Sequence, residues 1–366
     1  MSARGRAEAV AAHDEQVADA TGPDVSRHPV ASARHRRLVL AGAFAGGILV
    51  LALVAFASLA IGTRSLSLAE VWGALTSPDG GTASHIVLDL RLPRLVLGLM
   101  AGAALGITGA VLQAVTRNPI ADPGILGINA GAAVAVVAAI TFLGVRDPAG
   151  FVWFAFGGAA LAAFVVFAVG SSGRDGSTPV KLALTGAAVT AFLTPLTTLM
   201  LIGQDTTISA YRSWSVGSLS GRDLGMAAQL WPFLLIGLVL AALLGRRLNL
   251  LALGDDVARS LGVRVGTTRV LAAAAVIVLA GTATSLVGPI ALVGLVVPHV
   301  ARPLAGGDAR WVLALSAIFG PVLLLAADVI GRVVVAPAEL EAGIVAAIIG
   351  APVLIAIVRR TKGASA

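Results

Sequence analysis

The chain has 366 residues, of which 57% are hydrophobic and only 12% are charged. A soluble globular protein normally carries charge on about a quarter of its residues, so this composition excludes that class. The net charge is +7 and cysteine is absent, which excludes a disulfide framework and thiol chemistry. The sequence therefore predicts an all-α polytopic membrane protein.

The apolar residues are concentrated in runs long enough for a helix to cross a membrane, which takes about 20 residues. These runs lack the polar–apolar alternation of a transmembrane β-strand, so helices are the expected spans. The runs that fit this length are 38–62, 94–116, 124–143, 151–170, 180–203, 228–248, 268–287, 310–330 and 341–359. A shorter run at 288–303, with bends expected at Pro289 and Pro298, is predicted to be the tenth span.

The polar residues before the first run, 1–37, mix both charges with proline, glycine and alanine. Such a composition predicts a disordered cytoplasmic tail. No cleavable signal peptide is expected, because the first apolar run is long enough to remain as a span. A transmembrane domain is predicted over 38–362, with a cytoplasmic loop at about 250–267.

Ten spans place both termini on one side of the membrane, and the basic residues then divide unevenly. Of the 26 Arg and Lys residues, seven fall on the opposite side: Arg64, Arg91, Arg94, Arg146, Arg212, Arg222 and Arg332. The positive-inside rule places the richer side in the cytoplasm, so both termini are predicted to be cytoplasmic. The net positive charge is attributed to these loops, and no nucleic-acid partner is expected.

Glycines recur every three or four residues along the second run, at Gly98, Gly102, Gly106 and Gly109. The same spacing occurs in two shorter pairs, Gly42 with Gly46 and Gly127 with Gly131. A stripe of small residues on one helix face lets a second helix approach closely. The stripes therefore predict helix packing and indicate nothing about a transported substrate.

The loop after the second run begins Arg117-Asn118-Pro119 and continues to Asp122-Pro123. Each proline disfavours helix in the residue before it, which predicts a sharp turn between two spans. Asp122 is expected to cap the next helix, with Pro123 as its first residue. A tight turn accounts for the prolines and the aspartate but not for Asn118 beside Arg117, for which a functional role is left open.

Asp328 is the one acidic residue well inside an apolar run. An ionisable residue within a membrane segment is a functional candidate by default. Arg332 follows one helical turn later and is the expected partner. A structural ion pair and a proton relay both remain open at this point.

The predicted cytoplasmic loop contains a short helical pattern. Asp255 or Asp256 is the expected N-cap, and Gly262 fits the position just past the helix end. Val257 and Leu261 then fall on one face of a helix too short to be stable alone. The alternatives are a helix lying on lipid and a helix held by a docked protein; the adjacent aspartates favour protein docking over an anionic lipid surface.

The sequence shows no group of residues with the composition and spacing of a catalytic or metal-binding site. The five histidines do not share metal-ligand spacing within a span, so no catalytic residue, metal site or cofactor is predicted. Neither of the two lysines, Lys181 and Lys362, lies in a phosphate-binding GxxxxGK[ST] motif. Any ATP-driven work would therefore require another polypeptide.

Together these features resemble the permease subunits of ABC importers for iron–siderophore complexes, a family that also includes the vitamin B12 and haem permeases. The matching landmarks are RLPR at 91–94, GAALGITGAVLQAVTRNPIADPGILGINAGAA at 102–133, LGDDVARSLGV at 253–263, GPIALVGLVVPHVAR at 288–302, and AADVIGRVVVAP with GAPVLIAIVRR towards the end. They occur in the family's order over most of the chain beyond the tail. The details are closest to a ferric enterobactin-type permease.

The resemblance implies a type II ABC importer permease of about ten helices in the bacterial plasma membrane. It also implies a second permease subunit, identical or a sister chain, with two cytoplasmic ATPases and an extracytoplasmic siderophore-binding protein. The expected function is transfer of a ferric siderophore from the binding protein to the cytoplasm by alternating access. The permease itself is not expected to be an enzyme.

Site residues follow from the resemblance position by position. Arg91, Arg94 and Arg332 match outer-face arginines that pair with glutamates of the binding protein, and Asn118 matches a position that helps close the cytoplasmic end of the path. The segment that matches the ATPase-coupling helix comprises Gly254, Asp255, Asp256, Val257, Ala258, Arg259, Leu261 and Gly262.

Three threonines on the fifth span, Thr190, Thr194 and Thr197, are candidates for lining the path. A vitamin B12 or haem permease is the alternative within the same class. An ion-coupled secondary transporter is a different class, in which Asp328 would be the coupling residue. An intramembrane enzyme is disfavoured because no cluster of histidine and acidic residues is present.

Overall fold

The computed structural model describes residues 33–145, 147–172 and 179–363. The prediction for the tail falls largely on residues outside these ranges. The chain divides into two units, residues 1–41 and 42–366, and all contacts described below lie within the second.

The described residues form thirteen helices and no strands. In chain order these are α1 (Ala33–Ala60), α2 (Leu68–Thr76), α3 (Thr82–Thr116), α4 (Ile128–Leu143), α5 (Pro148–Gly170), α6 (Pro179–Leu201), α7 (Asp205–Ser215), α8 (Leu224–Ala252), α9 (Asp255–Ser260), α10 (Val265–Val287), α11 (Val293–Ala305), α12 (Ala309–Val334) and α13 (Ala342–Gly363). Within α3, the residues Ile86–Arg91 form a wider π-helical turn just before Pro93. Proline has no N–H donor to continue the ordinary helical ladder.

Seven of these helices are long and apolar enough to cross a membrane: α1, α3, α5, α6, α8, α10 and α12. Three shorter apolar helices, α4, α11 and α13, coincide with the remaining predicted spans. The prediction of an all-α membrane protein with about ten spanning helices is therefore confirmed.

Two helices form the centre of the bundle. In their most apolar stretches, 78% of α3 and 72% of α10 is buried, against 6% of α1 and 11% of α6. A transmembrane helix that is apolar on every side and buried needs neighbours on every side. Accordingly α3 packs against α8, α10, α11 and α12, whereas α1 and α6 leave most of their surface to lipid or to another chain.

The predicted glycine stripe of α3 packs against α11 and α12. A Cβ atom added at Gly109 would lie 1.7 Å from the carbonyl oxygen of Gly294, and one at Gly102 would lie 2.5 Å from the backbone of Pro321. No larger residue fits at such separations, so the packing role of the stripe is confirmed.

The two shorter glycine pairs behave differently. Gly42 and Gly46 have no neighbouring atom within 4 Å of an added Cβ, so the predicted packing is not found there within the chain. Gly131 packs closely on Gly158, but Gly127 lies outside the helix with φ of 70°. At Gly127 the glycine serves a left-handed turn, and it also lies against Val189 and Thr190 of α6.

The tenth predicted span is a broken segment. Residues 288–292 are non-helical and precede α11, and Leu292 has φ of 70°. The bend expected at Pro289 is therefore found, whereas the bend expected at Pro298 stays a prediction, since α11 continues through that residue without a break. Non-helical backbone within a membrane bundle is tolerated only where protein or water surrounds it.

The helices α2 and α7 were not predicted. Ser67 caps α2 and forms a reciprocal pair with Glu70, whose backbone N–H donates to the Ser67 hydroxyl at 3.2 Å. The Ser-Leu-Ala-Glu sequence is a recognisable capping box, so the sequence did contain a signal for α2.

Candidate functional site

Charged side chains that belong to distant parts of the sequence meet at both ends of the bundle. We call the group formed by Arg91, Arg94, Asp328, Arg332 and Glu339 the arginine cluster. The group around Asp255 at the opposite end is called the Asp255 hub. Arg91 and Arg94 begin the long run of α3 and Arg117 follows its end, so the central helix connects the two groups.

Arg332 and Asp328 form a buried ion pair on α12. Their side chains are 2.7 Å apart and only 3% and 6% exposed. The guanidinium of Arg332 also donates to the carbonyl oxygens of Ser58 at 2.9 Å and Ile61 at 3.1 Å. These carbonyls belong to the C-terminal end of α1, where the helix leaves its last acceptors unpaired.

Arg91 binds the same end of α1. Its guanidinium donates to the carbonyl oxygen of Leu59 at 2.6 Å and also to that of Arg64. The residue is only 5% exposed. A cation at a helix C-terminus satisfies the free carbonyls and matches the negative end of the helix dipole.

Arg94 is the most accessible guanidinium of the arginine cluster, although its side chain is still only 12% exposed. It forms an ion pair with Glu339 at 2.8 Å and donates to the Ser220 hydroxyl at 2.7 Å. The carboxylate of Asp328 lies 3.9 Å away. Glu339, whose side chain is 33% exposed, was missed from the sequence because its partner is 245 residues away.

Arg91 and Arg332 lie at the end of the bundle that the sequence predicts to be the outer one, but neither guanidinium is available for docking in this structure. Both guanidinium groups are enclosed, and both bind carbonyl oxygens of α1. The physical reason is that the end of α1 needs donors, and these two arginines supply them. The pairing of Asp328 with Arg332 also leaves that carboxylate without open access to water.

Arg222, in the loop between α7 and α8, is a buried cation with no partner among the described residues. It is 9% exposed and forms no ion pair or hydrogen bond with any residue that the structure describes. Burial lowers the pKa of its guanidinium to about 10. From its position in the sequence Arg222 could be assigned only to a side of the membrane, because no local pattern distinguishes it from exposed arginines.

The Asp255 hub joins three helices. The carboxylate of Asp255, in the first turn of α9, lies 2.5 Å from Arg117, which follows α3, and 3.0 Å from Arg269 in α10. Arg259 approaches the same carboxylate at 3.8 Å. Asp255 thereby ties the short helix α9 to both central helices of the bundle.

The helix predicted in this loop is present, with one difference at its start. Its N-cap is Gly254, with φ of 112°, and neither aspartate caps it. Asp255 and Asp256 lie in the first turn instead, where negative charge favours the helix dipole. Gly262 follows the end of the helix with φ of 82°, as predicted.

The exposed side of α9 is apolar. Val257 is 45% exposed and Leu261 is 55% exposed, whereas Ala258 is fully buried against the bundle. The predicted pairing of Val257 and Leu261 on one face is therefore found. A six-residue helix with its larger apolar side chains uncovered suits contact with another protein.

Asn118 stabilises the turn between α3 and α4. Its side-chain oxygen accepts a hydrogen bond from the backbone N–H of Ile120 at 3.1 Å. Asp122 accepts from the N–H of Gly124 at 2.8 Å and caps a single 3₁₀ turn, Pro123–Leu126. The turn thus gives Asn118 a structural role alongside the prolines, and its role in closing the path stays a prediction.

The three threonines of α6 do not form one exposed strip. Thr194 is exposed, Thr190 is half-buried and Thr197 is buried. The hydroxyls of Thr194 and Thr197 donate to carbonyl oxygens four residues earlier, at 2.8 and 3.1 Å. Such internal bonds let a polar residue lie in an apolar environment.

The chain matches known proteins over nearly all of the membrane domain. The model of the FecCD transport family matches residues 50–360. The ferric enterobactin transport system permease protein FepD of Escherichia coli is 45% identical over 320 residues, which cover 87% of this chain and 95% of that protein. The probable siderophore transport system permease protein YfiZ of Bacillus subtilis is 41% identical over 313 residues, covering 86% and 94%.

A solved structure shares the fold. It is an inward-facing conformation of a metal-chelate type ABC transporter, with a TM-score of 0.73 and 28% identity over 86% of this chain and 98% of that one. The helix order, the landmark sequences and the extent of these matches agree. The chain is an integral membrane permease that belongs to the FecCD transport family.

Proposed function

We propose that this chain is the membrane-spanning subunit of an ATP-driven importer for ferric siderophores. It transfers the iron chelate from an extracytoplasmic binding protein to the cytoplasm by alternating access. ATP is hydrolysed by two separate ATPase subunits, and a second permease, identical or a sister chain, completes the path.

The observation that carries the proposal is the position of α9. Its apolar residues Val257 and Leu261 are uncovered, while Asp255 fixes its first turn to Arg117 and Arg269. A partner that binds the uncovered face and moves α9 would pull on the central helices α3 and α10. This is the connection that an external ATPase needs in order to drive a helix bundle.

The proposed orientation places the Asp255 hub in the cytoplasm. The sequence assigns 19 of the 26 basic residues, those of the tails included, to that end, and the positive-inside rule associates the richer side with the cytoplasm. The arginine cluster then lies at the extracytoplasmic end, where a binding protein arrives. Both termini are cytoplasmic in this arrangement.

Docking of the binding protein is proposed to begin at Arg94 and Glu339. This ion pair is the accessible part of the arginine cluster, and a carboxylate of the arriving protein can exchange with Glu339 for the guanidinium of Arg94. Participation of Arg91 and Arg332 would require both to leave the carbonyls of α1, so their docking role is proposed only for a rearranged state.

The path is proposed to run beside α6, where Thr194 is exposed, towards the turn that contains Asn118. The relatives support siderophores over vitamin B12 or haem as the cargo, since their names refer to ferric enterobactin and to siderophores. An ion-coupled carrier is less well supported, because Asp328 is enclosed and paired with Arg332.

Stimulation of ATP hydrolysis tests the proposal. The permease, its second permease subunit, the ATPase and the binding protein are reconstituted together, and ATP turnover is measured with empty and with ferric siderophore-loaded binding protein. We expect loaded binding protein to raise turnover several-fold. Failure of the permease to associate with any ATPase encoded beside it would contradict the proposal.

A further inference from the structure

A cavity of about 320 Å³ lies at the end of the bundle beside the Asp255 hub. It is bounded by the C-terminal ends of α3, α8 and α11 and by the start of α12. Its polar lining comes from Gln113, Arg117, Asn249 and Arg302. Cavities of this size hold small ligands when a few polar groups converge in them.

Arg302 has no acidic partner among the residues that the structure describes. Its one hydrogen bond goes to the side-chain oxygen of Gln113 at 3.1 Å. Gln113 is itself fixed, because its amide nitrogen donates to the carbonyl oxygens of Gly294 and Leu295 at 3.3 Å. A guanidinium has five N–H donors, so Arg302 retains donors and an uncompensated charge in the cavity.

The carboxylates nearest the cavity are already engaged by other cations. Asp308 binds Arg310 through two nitrogens, at 2.9 and 3.2 Å, and its pKa is lowered to about 2, chiefly by that hydrogen-bonded arginine. Asp255 is shared by Arg117, Arg259 and Arg269. The surrounding stretches 113–117, 246–269 and 302–310 contain eight arginines and three aspartates. The local field is therefore positive.

We propose that this cavity binds a phosphate group, held by Arg302 and Arg117. Planar guanidinium groups match phosphate geometry and are favoured where phosphate is recognised. Two sources share this chemistry: the headgroup of an anionic phospholipid and free phosphate in solution. Basic cavities between membrane helices are known as a setting for anionic headgroups.

The proposal gives a physical consequence for the Asp255 hub. Arg117 both lines the cavity and binds Asp255. A bound phosphate therefore either competes with Asp255 for this guanidinium or adds a second anionic contact to it, and in both cases it acts on the residue that holds α9. Phosphate binding at this cavity is expected of the purified chain, without ATPase or cargo. Its failure would leave the proposed transport function standing.

The test uses the full-length permease in detergent. Native mass spectrometry measures retention of phosphatidylglycerol against phosphatidylcholine, and thermal unfolding is compared in phosphate and in chloride at equal ionic strength. The variants are Arg302→Gln and Arg302→Lys, with Arg246→Gln as the control because Arg246 is an exposed arginine near the same end. Size-exclusion profiles establish that each variant is folded.

If a phospholipid is the source, the permease retains phosphatidylglycerol selectively. That retention is then expected to fall about tenfold in Arg302→Gln, to fall less in Arg302→Lys, and to stay unchanged in Arg246→Gln. A rise in the unfolding midpoint with phosphate alone, lost in Arg302→Gln, supports free phosphate. The proposal is overturned if the wild-type protein and Arg302→Gln retain the same amount of phosphatidylglycerol and show the same shift of the unfolding midpoint in phosphate. If neither probe binds and Arg302→Gln instead weakens association with the ATPase, the counterpart is an acidic side chain, and the proposal is also overturned.

Discussion

The guanidinium of Arg117, just past the end of α3, lies 2.5 Å from the carboxylate of Asp255 in the first turn of α9. Arg117 is held from the other side as well, since its Nε donates to the carbonyl oxygen of Leu251 at 2.8 Å. The same carboxylate binds Arg269 of α10. One side chain thus connects the exposed helix α9 to the two most buried helices of the bundle.

Replacing Asp255 is expected to weaken coupling more than assembly. In Asp255→Asn the charge that holds Arg117 and Arg269 is lost, and we expect transport per ATP hydrolysed to fall roughly tenfold, since charge-assisted bonds in such a network exceed ordinary surface pairs. Asp256→Asn is the matched control, because the Asp256 side chain is 98% exposed and, among the described residues, pairs with Arg259 alone. Equal losses in both variants would contradict a special role for Asp255.

The exposed face of α9 is expected to hold the ATPase. The double variant Val257→Asp and Leu261→Asp places charge where an apolar contact is proposed, so co-purification of the ATPase should be lost. Leu68→Asp, on the exposed face of α2 at the other end, is 67% exposed in the wild type and serves as control. Retention of a fully active complex by the α9 variant would show that this face contacts only lipid.

The Asp328–Arg332 pair is expected to be a structural element. Asp328→Asn leaves a buried guanidinium uncompensated, which typically costs about 3–5 kcal/mol. Arg332→Met should cost more, because it also removes the donors to Ser58 and Ile61. Unfolding midpoints in detergent measure both. If Asp328→Asn is stable and abolishes uptake only when a proton gradient drives it, the ion-coupled alternative regains support.

Arg222 is expected to destabilise the isolated chain. An uncompensated buried cation is unfavourable, so Arg222→Met should raise the free energy of unfolding by about 1 kcal/mol or more. The measurement is the unfolding midpoint of the permease alone, with Arg212→Met as the control for loss of a charge at the same end. A lower midpoint in Arg222→Met would mean that this guanidinium has a stabilising contact.

The orientation can be tested because the chain has no cysteine of its own. Ser77→Cys lies at the end with the arginine cluster and Ser260→Cys lies in α9, and both positions are exposed. A membrane-impermeant thiol reagent applied from outside is expected to label Ser77→Cys alone in intact cells, and both variants after lysis. The reverse pattern would invert the proposed topology.

The parts of the fold that could be predicted depend on local patterns. The spans follow from runs of apolar residues, and the packing of Gly98 to Gly109 follows from spacing along one helix. The turn at Gly262 was recognisable because few other residues adopt its conformation. Each of these patterns involves residues close together in the sequence, so it can be recognised without knowledge of the tertiary structure.

The arrangement of the charged side chains could not be predicted in the same way. Arg91 and Arg332 were expected to be available to a docking protein, but in this structure both guanidinium groups bind the free carbonyls at the end of α1 and are buried. That outcome depends on contacts between residues that are 32 and 274 positions apart. The Arg94–Glu339 and Arg117–Asp255 pairs likewise join distant segments, so no spacing rule reveals them.

Uptake of iron into liposomes distinguishes an ATP-driven importer from an autonomous carrier. The permease is reconstituted with its second permease subunit and its ATPase, ferric siderophore is presented on the binding protein outside, and internal iron is measured with ATP, without ATP, and with an ion gradient in place of ATP. We expect accumulation only when ATP, the ATPase and the binding protein are all present. Accumulation by the permease alone under an ion gradient would contradict this expectation.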